Sequence, residues 1–387
     1  MPWKEIDVMS QRIEFVVRVL RGESSISELC REYGVSRSTG HKWLRRYIEA
    51  GFLQGLEERS RRPRSSPNQT PPDIEGRVVE LRKKHGWAGK KLSCLLMREG
   101  ISLSPSTVDR IIKRRGLVRE DRSSRPATQR FERPNPNELW QMDFKGKYLL
   151  RGSDQCYPLS LLDDHSRFSP GLFALSHPDT QSVHASLIGA FEQYGLPNAI
   201  LCDHGTPWWS TTSGHGLTSL AVAMIKQGID LIHGGFAHPQ TQGKVERFHR
   251  TLEETMVHRG VPQTVKGFSE AFDAFRYEYN EIRPHESLNL EVPAARYHPS
   301  TRAYQADPPA WAYPENSLVK TIDSGGFLSL KNGRYFVSEA LRRERVWCQE
   351  FGDRILVTYR HMHIRELDVA TGKSVTVVRS YLDGNSH

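Results

Sequence analysis

LWQMDFKGKYLL at residues 139–150 is the first of three strand-like runs that lie close together in the chain. CYPLSLLDD at 156–164 and RFSPGLFAL at 167–175 follow it across short polar turns, a pattern typical of β-strands. Helix-like and strand-like runs then alternate, with helices at 180–195, 216–228, 242–257 and 264–282 and strands at 198–203 and 230–235. Three strands followed by alternating helices and strands predict a mixed α/β layer domain.

Three acidic residues occupy notable positions in these predicted elements. Asp143 lies inside an apolar and aromatic strand, where a carboxylate costs free energy unless it is paired or binds a metal. Asp203 ends a buried strand, and ligands of α/β sheets gather at the carboxyl ends of strands. Glu246 lies near the start of a helix, after a polar loop. Each alone is compatible with an ordinary surface or capping acid, but together they can converge on one sheet edge.

Three such carboxylates suit a hard divalent cation, Mg²⁺ or Mn²⁺. Two ions about 3.5–4 Å apart can clamp the attacking and leaving oxygens of an in-line phosphoryl displacement. The five cysteines form no CxxC pair, and none of the 16 histidines belongs to an HxxxH pattern near cysteines. Neither a disulfide framework nor a zinc site is therefore predicted.

The charge of the chain is uneven. Residues 1–130 hold 28 lysines and arginines against 16 aspartates and glutamates, whereas residues 131–387 hold 26 against 29. The N-terminal 130 residues thus carry a net charge of +12, and the rest of the chain carries −3. This asymmetry indicates a polyanionic partner, most simply nucleic acid. No run of about 18 uncharged apolar residues occurs, so no membrane span is predicted. The charged N-terminus also lacks an apolar signal region.

The front part reads as a helix-turn-helix domain over residues 1–58. Residues 10–21 form one amphipathic helix, Ser25 or Ser27 caps a second, and a turn at Gly34 leads into a third. The third helix begins with short polar and basic side chains suited to a major groove, namely Arg37, Ser38, Thr39, His41 and Lys42. Gly40 inside this helix lowers its helix propensity by about 1 kcal/mol relative to alanine.

A second helical unit follows an Arg-, Pro- and Ser-rich linker at 59–73. The linker arginines Arg61, Arg62 and Arg64 fit either a solvated run or an arm in a minor groove. Residues 74–118 form a second helix-turn-helix, whose third helix begins with Ser104 as cap and Pro105 in the first turn. The DNA-contact candidates of this helix are Arg110, Lys113 and Arg114. Another linker covers 119–136.

The last part of the chain is predicted to be all-β. After a Pro-rich linker at 301–316, residues 317–387 carry short, evenly spaced strands that favour a small barrel. The basic run at 342–345 fits either a DNA contact or a solvated turn.

Several motifs together resemble the DDE transposases of bacterial insertion sequences, which are related to retroviral integrases. The matching runs are WQMDF at 140–144, LCDHGTPW at 201–208, HPQTQGKVERFHRTL at 238–252, and Tyr279-Asn280 through Arg283-Pro284-His285. The resemblance spans nearly the whole chain. It implies a multidomain protein with helix-turn-helix units, an RNase H-like core over 137–300 with a mixed five-stranded sheet, and a C-terminal SH3-like barrel. It also implies a catalytic and metal-binding triad of Asp143, Asp203 and Glu246.

The chain departs from the family pattern at a few positions. The 42 residues between Asp203 and Glu246 exceed the roughly 35 usual in retroviral integrases, and the excess fits a loop at 206–216. His204 replaces the usual asparagine, and Glu253 stands where many relatives have lysine or arginine two helical turns after the glutamate. The DNA contacts expected around Glu246 are Gln242, Lys244, Arg247 and Arg250.

Two further groups have alternative interpretations. Asp163, Asp164 and His165 are either extra metal ligands or a polar turn. Trp208 and Trp209 either stack on an unpaired base at a DNA end or pack the loop.

The sequence thus predicts a Mg²⁺- or Mn²⁺-dependent DNA transposase with two ions per active site. It would bind terminal repeats, cleave the element ends and join their 3′-hydroxyls to target DNA as a dimer or larger homo-oligomer. It would work in the bacterial cytoplasm, associated with the nucleoid. The alternatives are a degenerate, DNA-binding relative of a transposase and a metal-dependent nuclease that cuts without joining.

Overall fold

The computed structural model describes residues 7–50, 53–58, 69–118, 132–203, 205–210, 216–233, 243–331 and 333–377. The chain divides into two compact units, Met1–Thr70 and Pro71–His387. Within the described ranges, no helix is long and apolar enough to cross a membrane.

The first unit is a three-helix arrangement of α1 (Val8–Leu20), α2 (Ile26–Glu32) and α3 (Arg37–Ala50), closed by a 3₁₀ turn at Leu53–Leu56. Ser25, rather than Ser27, caps α2, because its side chain accepts from the Glu28 amide while the Glu28 carboxylate accepts from the Ser25 amide. The buried apolar side chains come from all three helices and the turn, and are Phe15, Val16, Leu29, Cys30, Trp43 and Leu56.

Gly40 has a packing role that helix propensity does not reveal. A β-carbon built on Gly40 would lie 2.4 Å from Cys30 Sγ and 2.9 Å from Phe15 Cζ. The missing side chain therefore lets α3 approach α1 and α2 closely.

The second unit begins with α4 (Pro72–His85), α5 (Gly89–Arg98) and α6 (Pro105–Arg114). Ser104 caps α6, with its hydroxyl accepting from the Thr107 amide at 3.2 Å, as the sequence predicts. The helices pack around a shared apolar core that includes Val78, Leu92, Leu96, Val108 and Ile111.

A mixed β-sheet forms the centre of the second unit. Its strands are β1 (Leu139–Phe144), β2 (Tyr148–Leu149), β3 (Gln155–Asp163), β4 (Gly171–Leu175), β5 (Ala199–Cys202) and β8 (Asp230–His233). The order is β2-β3-β1-β5-β8, with β4 also paired to β3. The antiparallel neighbours are β3 with β1, β2 and β4, and the parallel neighbours are β1 with β5 and β5 with β8. The predicted five strands are present, and the two-residue β2 adds a sixth.

Helices and a small hairpin complete this α/β region. They are α7 (Thr180–Tyr194), the hairpin strands β6 (Trp209–Ser210) and β7 (Gly216–Leu217), α8 (Ser219–Lys226), α9 (Gly243–Arg259) and α10 (Val265–Tyr277). One apolar cluster joins the sheet to α7 and α8 through residues such as Trp140 and Leu187. A second joins it to α9 and α10 through residues such as Leu162, Phe248 and Phe272. The sheet is therefore covered on both faces, with α9 packed directly against β1 and β3.

The C-terminal region is all-β, but its predicted barrel is not confirmed. Strands β9 (Val319–Thr321), β12 (Arg345–Phe351), β13 (Arg354–Tyr359), β14 (Met362–Asp368) and β15 (Ser374–Thr376) form a sheet ordered β15-β14-β13-β12-β9. Strands β10 (Phe327–Leu330) and β11 (Gly333–Phe336) form a separate hairpin. Among the described residues of 317–377 the two edge strands do not pair with each other, so the sheet stays open.

Candidate active site

Strand pairing places Asp143 and Asp203 side by side. The parallel register of β1 and β5 matches Gln141 with Leu201. Continued by two residues, this register brings Asp143 level with Asp203 at the carboxyl ends of both strands. Neighbouring strands lie about 4.8 Å apart, so two carboxylates face a common edge of the sheet.

The electrostatics of Asp143 reflect this arrangement. Burial raises its pKa from an ordinary 3.8 to about 7, and the negative charges of Asp203 and, to a smaller extent, Glu246 add to the rise. The His249 ring lies beside this carboxylate, with Nδ1 3.8 Å from Asp143 Oδ2. Burial lowers the pKa of His249 to about 4, so the ring is neutral and does not compensate the carboxylate. Its Nε2 lies 2.8 Å from the Ser160 hydroxyl on β3, directly across from Asp143.

Asp203 is held by the loop that follows it. The Gly205 amide and the Trp208 indole N–H both donate to Oδ1, at 2.9 and 2.6 Å. A β-carbon at Gly205 would lie only 2.9 Å from that oxygen, so glycine is what allows the amide to approach. Among the described residues, Oδ2 of Asp203 receives no hydrogen bond and is left for another partner.

The hydrogen bond from Trp208 to Asp203 is a contact that the sequence did not predict. Its side chain is 1% exposed and stacks on Phe144 at a centroid distance of 5.3 Å, which is the loop-packing interpretation rather than base stacking. Trp209 packs its ring edge-on against His233 at 4.4 Å. In the sequence, Trp208 stands only five residues after Asp203, but this spacing alone does not predict that the two side chains are hydrogen-bonded.

A buried polar cluster ties the start of α9 to the sheet. Lys244 Nζ lies 2.6 Å from Asp164 Oδ1, and the Gln141 amide donates to the same oxygen at 2.8 Å. Gln141 Oε1 accepts from the Val245 amide at 3.3 Å. We call Gln141, Asp164 and Lys244 the clasp. It links β1, which carries Asp143, to the helix that carries Glu246.

The neighbouring Asp163 is the last residue of β3 and holds the turn that follows. Its carboxylate accepts from the Ser166 amide and hydroxyl at 2.7 and 2.6 Å and from the Asn137 amide at 2.7 Å. His165 Nδ1 lies 2.8 Å from the Arg133 carbonyl. Both aspartates are thus occupied by protein contacts, as in the polar-turn interpretation. In the ranges that the structure describes, no three His, Cys, Asp or Glu side chains form a ready-made metal-binding group.

Glu246 lies in the first turn of α9 and is exposed. Arg247 and Arg250 are also exposed, whereas Lys244 is occupied by the clasp. Glu253 pairs with Lys145, with 3.4 Å between Oε2 and Nζ. Gln242 and His204 lie outside the described residues, as does the rest of the loop that precedes α9.

The candidate DNA contacts of the helix-turn-helix units are mostly at the surface. In α3, Arg37, Ser38, His41 and Lys42 are exposed and Thr39 is half-buried. In α6, Arg110 and Lys113 are exposed. Arg114 is exposed as well, and it forms an ion pair with the buried carboxylate of Glu75. Arg61, Arg62 and Arg64 lie outside the described residues.

Comparison with protein families assigns the region that holds these carboxylates. Two models of the integrase core domain match residues 133–234 and 227–293. Together the two matches cover residues 133–293, which are thus similar to the integrase core domain. A helix-turn-helix domain matches residues 11–64, and a homeodomain-like domain matches residues 39–112. The resemblance to insertion-sequence transposases that the motifs predict is thereby confirmed.

Individual relatives come from mobile elements. The chain is 26% identical over 258 residues to the uncharacterized 31.7 kDa protein of insertion element IS407 from Burkholderia multivorans, covering 64% of this chain and 87% of that protein. It is 24% identical to the transposase of transposon Tn552 from Staphylococcus aureus, covering 64% of this chain and 56% of that protein. Among solved structures, the HTLV-2 integrase catalytic core domain in complex with magnesium matches at 15% identity and a TM-score of 0.33, over 43% of this chain and 99% of that one.

Proposed function

We propose that this protein is a transposase that cleaves phosphodiesters at the ends of a mobile element and joins the resulting 3′-hydroxyls to target DNA. Asp143, Asp203 and Glu246 are its catalytic residues. The observation that carries the proposal is the parallel register of β1 and β5, which, continued by two residues, brings Asp143 level with Asp203. The raised pKa of Asp143, caused by burial and then by the charge of Asp203, supports it.

The donor chemistry of this pair fits a divalent cation. The groups are carboxylate oxygens, and Oδ2 of Asp203 accepts no hydrogen bond from the described residues. Among the described residues, no lysine or arginine forms an ion pair with Asp143 or Asp203. Asp143 and Asp203 would hold Mg²⁺ or Mn²⁺, with Glu246 as the third carboxylate. When bound, a pair of such ions supplies an activated nucleophilic oxygen and stabilises the leaving oxygen.

The remaining side chains position the carboxylates and the DNA. Gly205 and Trp208 fix the rotation of the Asp203 carboxylate, and the clasp fixes the first turn of α9. Arg247 and Arg250 would contact phosphates, and the exposed starts of α3 and α6 would enter the major groove of the terminal repeats. Because joining requires two element ends, we expect a homodimer or a larger assembly on DNA.

A strand-joining assay tests the proposal. The full-length protein is incubated with Mg²⁺, a supercoiled plasmid and a labelled duplex of the inverted repeat that flanks the gene. Wild type should give joined product, whereas Asp143→Asn, Asp203→Asn and Glu246→Gln should bind the repeat without joining it. Asp73→Asn, on the exposed start of α4, is the matched control and should join normally. Joining by any of the three triad variants would remove that residue from the active site.

The same assay separates the two other candidates. Hydrolysed ends without joined product, in either Mg²⁺ or Mn²⁺, would identify a nuclease. Repeat binding without cleavage in either metal would identify a degenerate, DNA-binding relative.

A further inference from the structure

His249 on α9 lies between Ser160 and Asp143, and the proposed function gives it no role. Its Nε2 is 2.8 Å from the Ser160 hydroxyl, and its Nδ1 is 3.8 Å from Asp143 Oδ2. The side chain is 11% exposed, so the ring is largely shielded from water. His249 stands three residues after Glu246, which places both side chains on one face of α9.

The sheet fixes the two neighbours of this ring. Asp143 on β1 and Ser160 on β3 are directly opposite each other in the antiparallel pairing of these strands. Opposite residues carry their side chains on the same face of a sheet, with β-carbons about 4.5–5.5 Å apart. Helix α9 packs directly against both strands. The His249 ring therefore bridges a proposed catalytic carboxylate and a hydroxyl whose separation is set by strand pairing.

The position of the ring hydrogen follows from these neighbours. In a neutral imidazole one nitrogen donates and the other accepts, whereas a serine hydroxyl can do either. A hydrogen on Nε2 would leave the Nδ1 lone pair facing the carboxylate of Asp143, which is repulsive. A Ser160 hydroxyl that donates to Nε2 instead places the hydrogen on Nδ1, facing Asp143 Oδ2. Among the described residues, the Ser160 hydroxyl has no other hydrogen-bond partner, so no other acceptor competes for its hydrogen.

The Nδ1 contact with Asp143 is longer than a hydrogen bond by roughly 0.6–1 Å. Active-site hydrogen bonds that are long in the unliganded state commonly shorten when the reacting groups assemble. Asp203 already has the corresponding contact, because the Gly205 amide and the Trp208 indole donate to Oδ1 and leave Oδ2 without a donor from the described residues. A small rotation of the Asp143 carboxylate gives the second aspartate the same arrangement.

We propose that His249 is a positioning residue for the cation site. Its Nδ1–H holds Oδ2 of Asp143 and turns Oδ1 towards the cation, and Ser160 fixes the tautomer that makes this contact possible. The inference rests on the proposed function, in which Asp143 binds the cation. Hydrogen bonds to a metal ligand orient it, and their loss typically lowers metal affinity by about 10–100-fold.

Two amide substitutions separate the two contacts of the ring. The side-chain nitrogen of asparagine is as many bonds from Cα as Nδ1 of histidine, and that of glutamine as many as Nε2. His249→Asn can therefore keep a donor towards Asp143, whereas His249→Gln can keep only the contact with Ser160. His177→Asn, at an exposed position of the same domain, is the matched control.

The readout is the melting temperature of the full-length protein without DNA over a series of MgCl₂ concentrations. His249→Gln should raise the Mg²⁺ concentration for half-maximal stabilisation by at least about 10-fold, whereas His249→Asn should stay within about 3-fold of wild type. His177→Asn should match wild type. In the strand-joining assay, His249→Gln should be slow at low Mg²⁺ and recover as Mg²⁺ is raised.

The tautomer is measured independently of any metal. In protein labelled with ¹⁵N at the histidine rings, the signals that disappear in His249→Asn identify His249. Near neutral pH they should show a protonated Nδ1 and an unprotonated Nε2, and Ser160→Ala should weaken this preference. A protonated Nε2 in wild type would overturn the assignment.

Two further outcomes would overturn the role of His249. Equal loss of Mg²⁺ affinity in His249→Asn and His249→Gln would show that the donor towards Asp143 is not what matters. Lowered melting temperatures in EDTA with an unchanged Mg²⁺ dependence would make His249 a structural residue only. Wild type that shows the expected difference between the two variants but joins no DNA would instead overturn the proposed joining and still support the role of His249.

Discussion

Asp143→Asn is expected to stabilise the metal-free protein at high pH. The pKa of Asp143 in the folded protein, about 7, lies above its ordinary value of 3.8. A group of this kind contributes its full stability below the unfolded-state pKa and loses it as pH rises through the folded-state pKa. The wild type should therefore lose stability between about pH 4 and 7, whereas the uncharged asparagine should not.

The magnitude follows from the size of the pKa rise. Each pH unit in that window should cost the wild type about 1.4 kcal/mol relative to Asp143→Asn. For a fully buried carboxylate, the wild type would be less stable than Asp143→Asn by roughly 4 kcal/mol at pH 8. Because the Asp143 side chain is 20% exposed, we expect a difference of roughly 2–4 kcal/mol. The ionised carboxylate of Asp143, the proposed catalytic residue, therefore destabilises the folded protein when no cation is bound.

Urea unfolding in EDTA at a series of pH values between 5 and 8 measures the difference directly. Comparison of wild type with Asp143→Asn cancels the other titrating groups, and Asp73→Asn controls for the removal of one surface carboxylate. Adding Mg²⁺ at pH 8 should raise the stability of wild type but not that of the variant. A difference that does not change with pH, or an asparagine variant that is less stable at pH 8, would refute the assigned environment of Asp143.

Three further substitutions distinguish positioning from surface roles. Lys244→Met should lower the free energy of unfolding in urea by about 2–3 kcal/mol, because it leaves the buried Asp164 carboxylate without its cation. The slope of log DNA affinity against log salt concentration should not change. A slope reduced by about 1 with unchanged stability would instead make Lys244 a phosphate contact. Trp208→Phe keeps the stacked ring but removes the indole donor to Asp203, so joining should slow by about 10–100-fold with repeat affinity unchanged, and an unaltered rate would count against that role. Gly40→Ala should destabilise the first unit by about 1–3 kcal/mol in thermal unfolding, because the added methyl group clashes with Cys30 and Phe15. Gly76→Ala is the control: the structure leaves open space there, so alanine should stabilise the protein by about 0.5–1 kcal/mol. Equal effects of the two substitutions would contradict the packing argument.

Local signals in the sequence predicted most of the elements. The cap at Ser104 and the helix predicted at 180–195 depend on residues that are neighbours in the chain, and the structure contains both, the helix as α7. The adjacency of Asp143 and Asp203 was also predictable, since strands that end in acids within an α/β pattern share one edge.

Contacts between distant residues could not be read in this way. Lys244 reads as a DNA contact because it is basic and close to Glu246, but its partner Asp164 is 80 residues away. Whether the C-terminal strands close into a barrel depends on pairing of the first strand with the last, and no local pattern encodes that pairing. Gly40 is unfavourable by propensity and required by packing, so its value is set by Cys30 and Phe15 rather than by its own helix.

Glu253 shows why a departure from a family pattern has to be judged in three dimensions. An acid two helical turns after Glu246 suggests that the active site has lost a cation. In the structure Lys145, two residues after Asp143, reaches Glu253 and lies 4.8 Å from the Tyr148 ring centroid. Positive charge is thus present at this end of the site, supplied by the sheet instead of by α9. A lysine at position 253 would face Lys145 and repel it, so the acid at this position is consistent with a working site.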